Sequence, residues 1–247
     1  MSSRWRRWWS GLVLTTIATI AVLMLAARGK LEYYVHPRYV WFEIALAAIA
    51  GVLALAALIA PATRQRDHGH DDHGHDHGRP PGFIAQLGGV IMVAALGATL
   101  LALPPAALSS ATAQQRSINS NIPLQDEVVF ASGDDSLLTI KDWAALLRLQ
   151  GTDFFLDRQP VLEGFVVADP ERADVFYVSR FVVTCCAVDA QPVGVPVRLP
   201  GWAGEYPVDS WVRVTGDFVP ADGAPEPVVV EPESIERIEQ PDAPYLE

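Results

Sequence analysis

Cys185 and Cys186 stand side by side and are the only cysteines of the chain. They lie in the run Ser179-Arg-Phe-Val-Val-Thr-Cys-Cys-Ala-Val-Asp-Ala-Gln-Pro-Val-Gly194, with Asp189 just beyond them. Two adjacent thiolates and a carboxylate suit a soft or borderline metal ion. The same pair can instead close a strained vicinal disulfide that is easily reduced, or one thiol can act as a nucleophile. A nucleophilic cysteine wants a histidine base, and the C-terminal half holds no histidine; His36 lies near the first apolar stretch. Two purely structural cysteines are the plain alternative. Successive strand residues point to opposite faces, so the two thiols converge only if the strand ends before them.

A second cluster is Asp67-His-Gly-His-Asp-Asp-His-Gly-His-Asp-His-Gly78. It sets His68, His70, His73, His75 and His77 among Asp71, Asp72 and Asp76. Imidazole with carboxylate suits zinc, and also copper or nickel. Interspersed glycines preset no geometry, so the tract reads as a loose buffer or sensor. A catalytic zinc wants a rigid scaffold and a supporting shell. A solvated linker without a metal is the competing reading.

The elements that must position these clusters follow from an uneven charge. Residues 1–108 carry 9 Lys/Arg against 6 Asp/Glu, a net of +3, whereas residues 109–247 carry 9 against 23, a net of −14. A basic, apolar front (1–108) and an acidic, mixed rear predict a membrane region followed by a soluble domain. An acidic domain excludes nucleic acid as partner, because phosphates need Lys/Arg. Three apolar stretches, about 8–27, 40–60 and 83–103, predict three transmembrane helices flanking the histidine loop 67–78. The third contains Gly88, Gly89 and Gly97, which permit close helix packing. Loop charges favour a cytoplasmic N-terminus by about six Lys/Arg to four, which puts the histidine loop inside and the C-terminal domain outside.

After Pro104-Pro105 a small, polar stretch, 109–127, reads as a linker, and 128–247 as the soluble domain. Thr139 with Asp142 three residues on predicts a helix start, and an apolar stripe carries that helix to about Leu149. Five strands follow: Pro160–Ala168, Val175–Cys186, Val193–Leu199, Ser210–Val219 and Pro227–Ile238. Gly164 inside the first predicts a bulge or bend. The expected fold is therefore an α-helical membrane anchor of three helices plus a small, mainly β domain, an OB-like barrel with one preceding helix. Without a basic groove or stacking ladder, such a barrel would not bind single strands.

Several segments together resemble one family. A Tyr34-Val-His-Pro-Arg38 loop after the first span, a His/Asp loop after the second, a third span, and Cys185-Cys-Ala-Val-Asp-Ala-Gln-Pro-Val-Gly194 are similar to the YcgQ-like family of bacterial membrane proteins. The resemblance covers nearly the whole chain, and the cysteine segment is its most specific part. It implies a multi-pass protein of the bacterial inner membrane, an accessory subunit of a polytopic permease, with a link to metal, chiefly Zn2+, homeostasis. It implies no catalytic residues. The expected function is thus non-enzymatic: a permease subunit whose outer domain captures or gates a metal ion at Cys185, Cys186 and Asp189. A membrane-anchored thiol oxidoreductase and a purely structural assembly module are the alternatives.

Overall fold

Residues 3–59, 95, 107–120, 135–221 and 225–246 are described by the computed structural model. They form two compact units, one helical and one mainly β. The histidine loop, the third apolar stretch apart from Ala95, and residues 121–134 lie outside the described residues.

The helical unit pairs α1 (Ser3–Ala27) with α2 (Pro37–Ile59). Helix α1 stops where Gly29 takes a φ of +64°, with the Gly29 N–H on Ala26 O and the Lys30 N–H on Leu25 O. That pattern closes the last carbonyls, and glycine enters the left-handed region without a Cβ penalty. Thr15 and Thr16 donate their hydroxyls back to the carbonyls of Gly11 and Leu12 at 3.0 and 2.9 Å, so apolar α1 leaves no hydroxyl unpaired there. Pro37 opens α2, where its missing N–H costs nothing.

One helix among the described residues is long and apolar enough to cross a membrane, over Pro37–Ala57. It turns Trp41, Phe42, Ile49, Val52 and Leu53 outward. The expectation of three spans is corrected here. Among the described residues the apolar part of α1 is Gly11–Ala27, which at 1.5 Å per residue falls short of a hydrocarbon core about 30 Å thick.

The β unit takes Glu32–His36 together with residues from 106 onward. Its strands are β1 (Val161–Ala168), β2 (Val175–Val182), β3 (Gln191–Arg198), β4 (Trp211–Pro220), β5 (Val228–Arg237) and β6 (Tyr245–Leu246). They make a six-stranded sheet in the order β1-β4-β5-β3-β2-β6, with β1 also paired to β2. Pairing is antiparallel except β3–β5 and β2–β6, which are parallel. The expected five-stranded OB-like barrel is therefore corrected to a six-stranded mixed sheet, which the added β1–β2 pairing closes on itself. The sixth strand, two residues long, is too short to carry any alternation a sequence could show.

The helix α4 (Ile140–Leu149) starts as its sequence demands. The Thr139 N–H donates to Asp142 Oδ2 at 2.8 Å, and the Asp142 N–H reaches back to Thr139 Oγ1 at 3.4 Å, a reciprocal cap. Its apolar face buries Trp143, Leu146 and Leu147 against the sheet, and Trp143 meets Phe218 at 5.2 Å between ring centroids. Within the stretch read as a linker, Ser110–Arg116 forms a short helix, α3. Its Ala113 is fully buried beside Phe165, Tyr177 and Phe181. After α3, Asn119 imitates a strand residue: its side-chain amide exchanges two hydrogen bonds with Gly194, at 2.8 and 2.9 Å.

Of the expected bulge or bend, Gly164 is not a bulge; it stands where β1 changes partner, pairing β4 as far as Phe165 and β2 from Phe165 onward. It pairs in regular register with Val212, and the irregularity falls instead between Thr215 and Gly216. The glycine is required because β2 passes so close that a Cβ there would lie 2.4 Å from Ser179 O. Gly164→Ala should therefore lower stability by about 1–3 kcal/mol, seen as an earlier thermal unfolding of the β unit. Gly151→Ala, where a Cβ meets nothing within 4 Å, should leave the transition in place.

Candidate metal site

Strand β2 ends at Val182, earlier than the expected Cys186. The Val183 N–H is taken by Leu246 O at 3.0 Å, and residues 184–189 then leave the sheet as a bend and turn. Asp189 organises that turn. Its carboxylate accepts the N–H of Thr184 (3.2 Å), Cys185 (2.8 Å) and Cys186 (3.4 Å), while its own N–H donates to Cys186 O at 3.0 Å. An aspartate is fit for this because its short side chain folds back on nearby backbone donors. Ala190 is buried, and Gln191 begins β3.

Released from the pleat, the two thiols converge. Cys185 Sγ lies 3.5 Å from Cys186 Sγ, and both are free thiols. One oxygen of Asp189 completes a trio of donor atoms all within 4.8 Å of one another. Two sulfurs about 2.3 Å from a tetrahedral ion would stand roughly 3.8 Å apart, so the spacing fits a shared ion with little movement. Cys185 is exposed and Cys186 and Asp189 are half-buried. An ion here is open to solvent on one side, unlike one in a closed structural site.

The electrostatics separate metal binding from thiol chemistry. The thiol of Cys185 is pushed up to about 12 by its hydrogen bond to the Asp189 carboxylate and by the neighbouring Cys186. Partial burial works against ionised Asp189, but the Cys185 thiol and the backbone N–H groups of Cys185, Thr184 and Cys186 hold it below the usual carboxylate range. Reactive cysteines have depressed pKa values; this one is held as a thiol by an adjacent anion. A cation reverses the balance, since it replaces the proton and is attracted by the same carboxylate.

Sequence reasoning brought Cys185, Cys186 and Asp189 together correctly as neighbours, but it did not find what backs them. The segment between α1 and α2 pairs with the thiol turn: the His36 N–H donates to Cys185 O at 3.0 Å, the Ala187 N–H donates to Tyr34 O at 2.9 Å, and Val35 faces Cys186 in an antiparallel bridge. Tyr245 of β6 holds the same segment, its hydroxyl donating to Tyr33 O at 3.3 Å and accepting the Leu108 N–H at 2.9 Å. In the sequence His36 stands far from this domain, beside the first apolar stretch. The one local signal was Pro37, which forces the residue before it into an extended backbone ready to pair. The remaining proposed ligands, His68, His70, His73, His75, His77, Asp71, Asp72 and Asp76, lie outside the described residues.

Asp189→Asn removes the charge that holds the Cys185 proton. Alkylation of Cys185 by iodoacetamide at pH 8 should then speed up by more than about tenfold, as its thiolate fraction rises. An unchanged rate would mean that the carboxylate does not set the thiol's ionisation.

Comparison with known protein families places most of the chain. The DUF1980 N-terminal domain matches residues 11–119, and the DUF1980 C-terminal domain matches residues 139–246. No curated protein and no solved structure matches the chain. With its apolar helices and Tyr34–His36 segment in the first domain and its thiol turn in the second, the chain belongs to the DUF1980 family.

Proposed function

We propose that this chain is a non-enzymatic, membrane-associated accessory subunit that captures a thiophilic divalent cation, of the zinc type, at Cys185, Cys186 and Asp189. The observation that carries the reading is the convergence of two sulfurs and a carboxylate oxygen within 4.8 Å on an exposed turn. The donor set is soft enough to select against Mg2+ and Ca2+, which take oxygen ligands. The net of −14 over residues 109–247 raises the local concentration of cations and repels anions. Openness on one side suits an ion that must arrive and leave.

The partner in this reading is a polytopic permease, as the resemblance to the YcgQ-like family implies. Helix α2 supplies the membrane contact. Because Tyr34–His36 is hydrogen bonded to the thiol turn, both share one side of the bilayer. The histidine loop would add a looser reserve of the same ions. A thiol oxidoreductase fits less well, since its attacking thiol would need to ionise near neutral pH, and Cys185 is pushed the other way.

Binding at this site must release thiol protons. Titration of the purified full chain with Zn2+ should therefore tighten as pH rises from 6 to 8, by up to about tenfold per pH unit for each proton displaced. Replacing both cysteines by serine should abolish that pH-steep component and leave the weaker binding of the histidine loop. A double variant that binds with undiminished affinity and the same pH slope would remove the thiols from the function.

A further inference from the structure

Connectivity limits how far the thiol turn can stand from the start of α2. The carbonyl oxygen of Cys185 lies 3.0 Å from the His36 nitrogen. Along the backbone from that nitrogen, the next nitrogen is that of Pro37, the first residue of α2. With standard bond lengths, the Cys185 oxygen and the Pro37 nitrogen are at most about 7 Å apart. Over Pro37–Ala57, α2 is long and apolar enough to cross a membrane. Its length there, about 32 Å, only just exceeds a hydrocarbon core about 30 Å thick. Pro37 therefore stands at the edge of that core. Tyr34, Tyr39 and Trp41 flank it and are exposed, as aromatic residues at a membrane interface are. The headgroup layer beyond the core is about 5–7 Å deep on each side, which matches the limit on the Cys185 carbonyl.

The turn is chemically suited to that layer. Thr184-Cys-Cys-Ala-Val188 carries no charge, although residues 109–247 carry a net of −14. Val188 is exposed. The one charge beside it, on Asp189, is already answered by three backbone N–H groups. Little polar or charged surface must therefore lose water when this tip meets lipid. We propose that the thiol turn works in the lipid headgroup layer, with Thr184–Val188 as its contact and a phospholipid surface as its partner. The hydrated headgroup layer is then the solvent around the outer face of the turn, and Cys185 stays within reach of ions. The placement stands on connectivity and on α2 as the span; its consequence for ions rests on the metal-capture reading of the same turn. Anionic headgroups attract divalent cations to the surface. The turn would draw ions from that layer and release them beside the membrane instead of into bulk water.

The test reads depth in the full chain, reconstituted in vesicles of phosphatidylethanolamine and phosphatidylglycerol. A lipid carrying a nitroxide on its headgroup is the quencher. The turn holds the only two cysteines of the chain, so a bimane fluorophore on the native thiols reports this site alone. For comparison, Cys185→Ser and Cys186→Ser combined with Val188→Cys place one label on the tip. The same two serines with Glu171→Cys place one in the exposed turn at the other end of β2, more than about 20 Å away along the strand. The nitroxide should quench the label at 188 at least about threefold more than the label at 171, and should quench the native-thiol label as strongly as the one at 188. Quenching at 188 no stronger than at 171 would overturn the proposal. So would a native-thiol label quenched by iodide in the water but not by the headgroup nitroxide. Depth is read without metal, so Co2+ added to the unlabelled, unaltered chain tests capture separately. Absence of a thiolate-to-cobalt charge-transfer band would overturn the metal-capture reading and leave the placement standing.

Discussion

Three backbone N–H groups converge on the carboxylate of Asp189, and the geometry of the thiol turn depends on that convergence. Without it, the chain after Val182 has no reason to leave the pleat, and a continued strand would send Cys185 and Cys186 to opposite faces. With it, the peptide folds back over one side chain and the sulfurs meet at 3.5 Å. The same carboxylate keeps the Cys185 proton in place. One interaction therefore shapes the turn, keeps the Cys185 thiol protonated, and supplies the negative charge that a cation would answer.

The rest of the β unit fixes this turn in space. β2 and β3 are paired along their full length, from Val175–Arg198 to Val182–Gln191, so the turn that joins them springs from a rigid base. Tyr245 of β6 sits beside β2 and ties down both Tyr33 and Leu108. Arg116 of α3 donates to Ala190 O, directly behind Asp189. The turn is thus braced from β6, from α3 and from the segment ahead of α2, while its outer face, with Val188 82% exposed, stays in solvent. A braced but open turn favours reversible exchange of a small ion over permanent burial of one.

Local signals carried as far as local physics reaches. The Thr139–Asp142 cap, the apolar stripe of α4 and most strand cores were legible because each depends on residues within one or two turns. The trio of site residues was legible too, being five residues long. What sequence could not show is long-range. No periodicity links Val35 to Cys186, or Tyr245 to Tyr33. A two-residue strand such as Tyr245–Leu246 has no pattern at all. Gly164 was rightly marked as special: no bulge falls there, but β1 changes partner beside it, at Phe165, and a neighbouring backbone excludes its Cβ.

The central claim is that the thiols of Cys185 and Cys186 hold a metal ion. X-ray absorption at the zinc K-edge of the purified, zinc-loaded full chain addresses it most directly, because sulfur and nitrogen or oxygen neighbours differ in scattering and in distance. At one equivalent of zinc the account predicts sulfur scatterers near 2.3 Å, with nitrogen or oxygen near 2.0 Å. A first shell of nitrogen and oxygen alone would contradict it, placing the ion in the histidine loop and leaving the thiol turn without one.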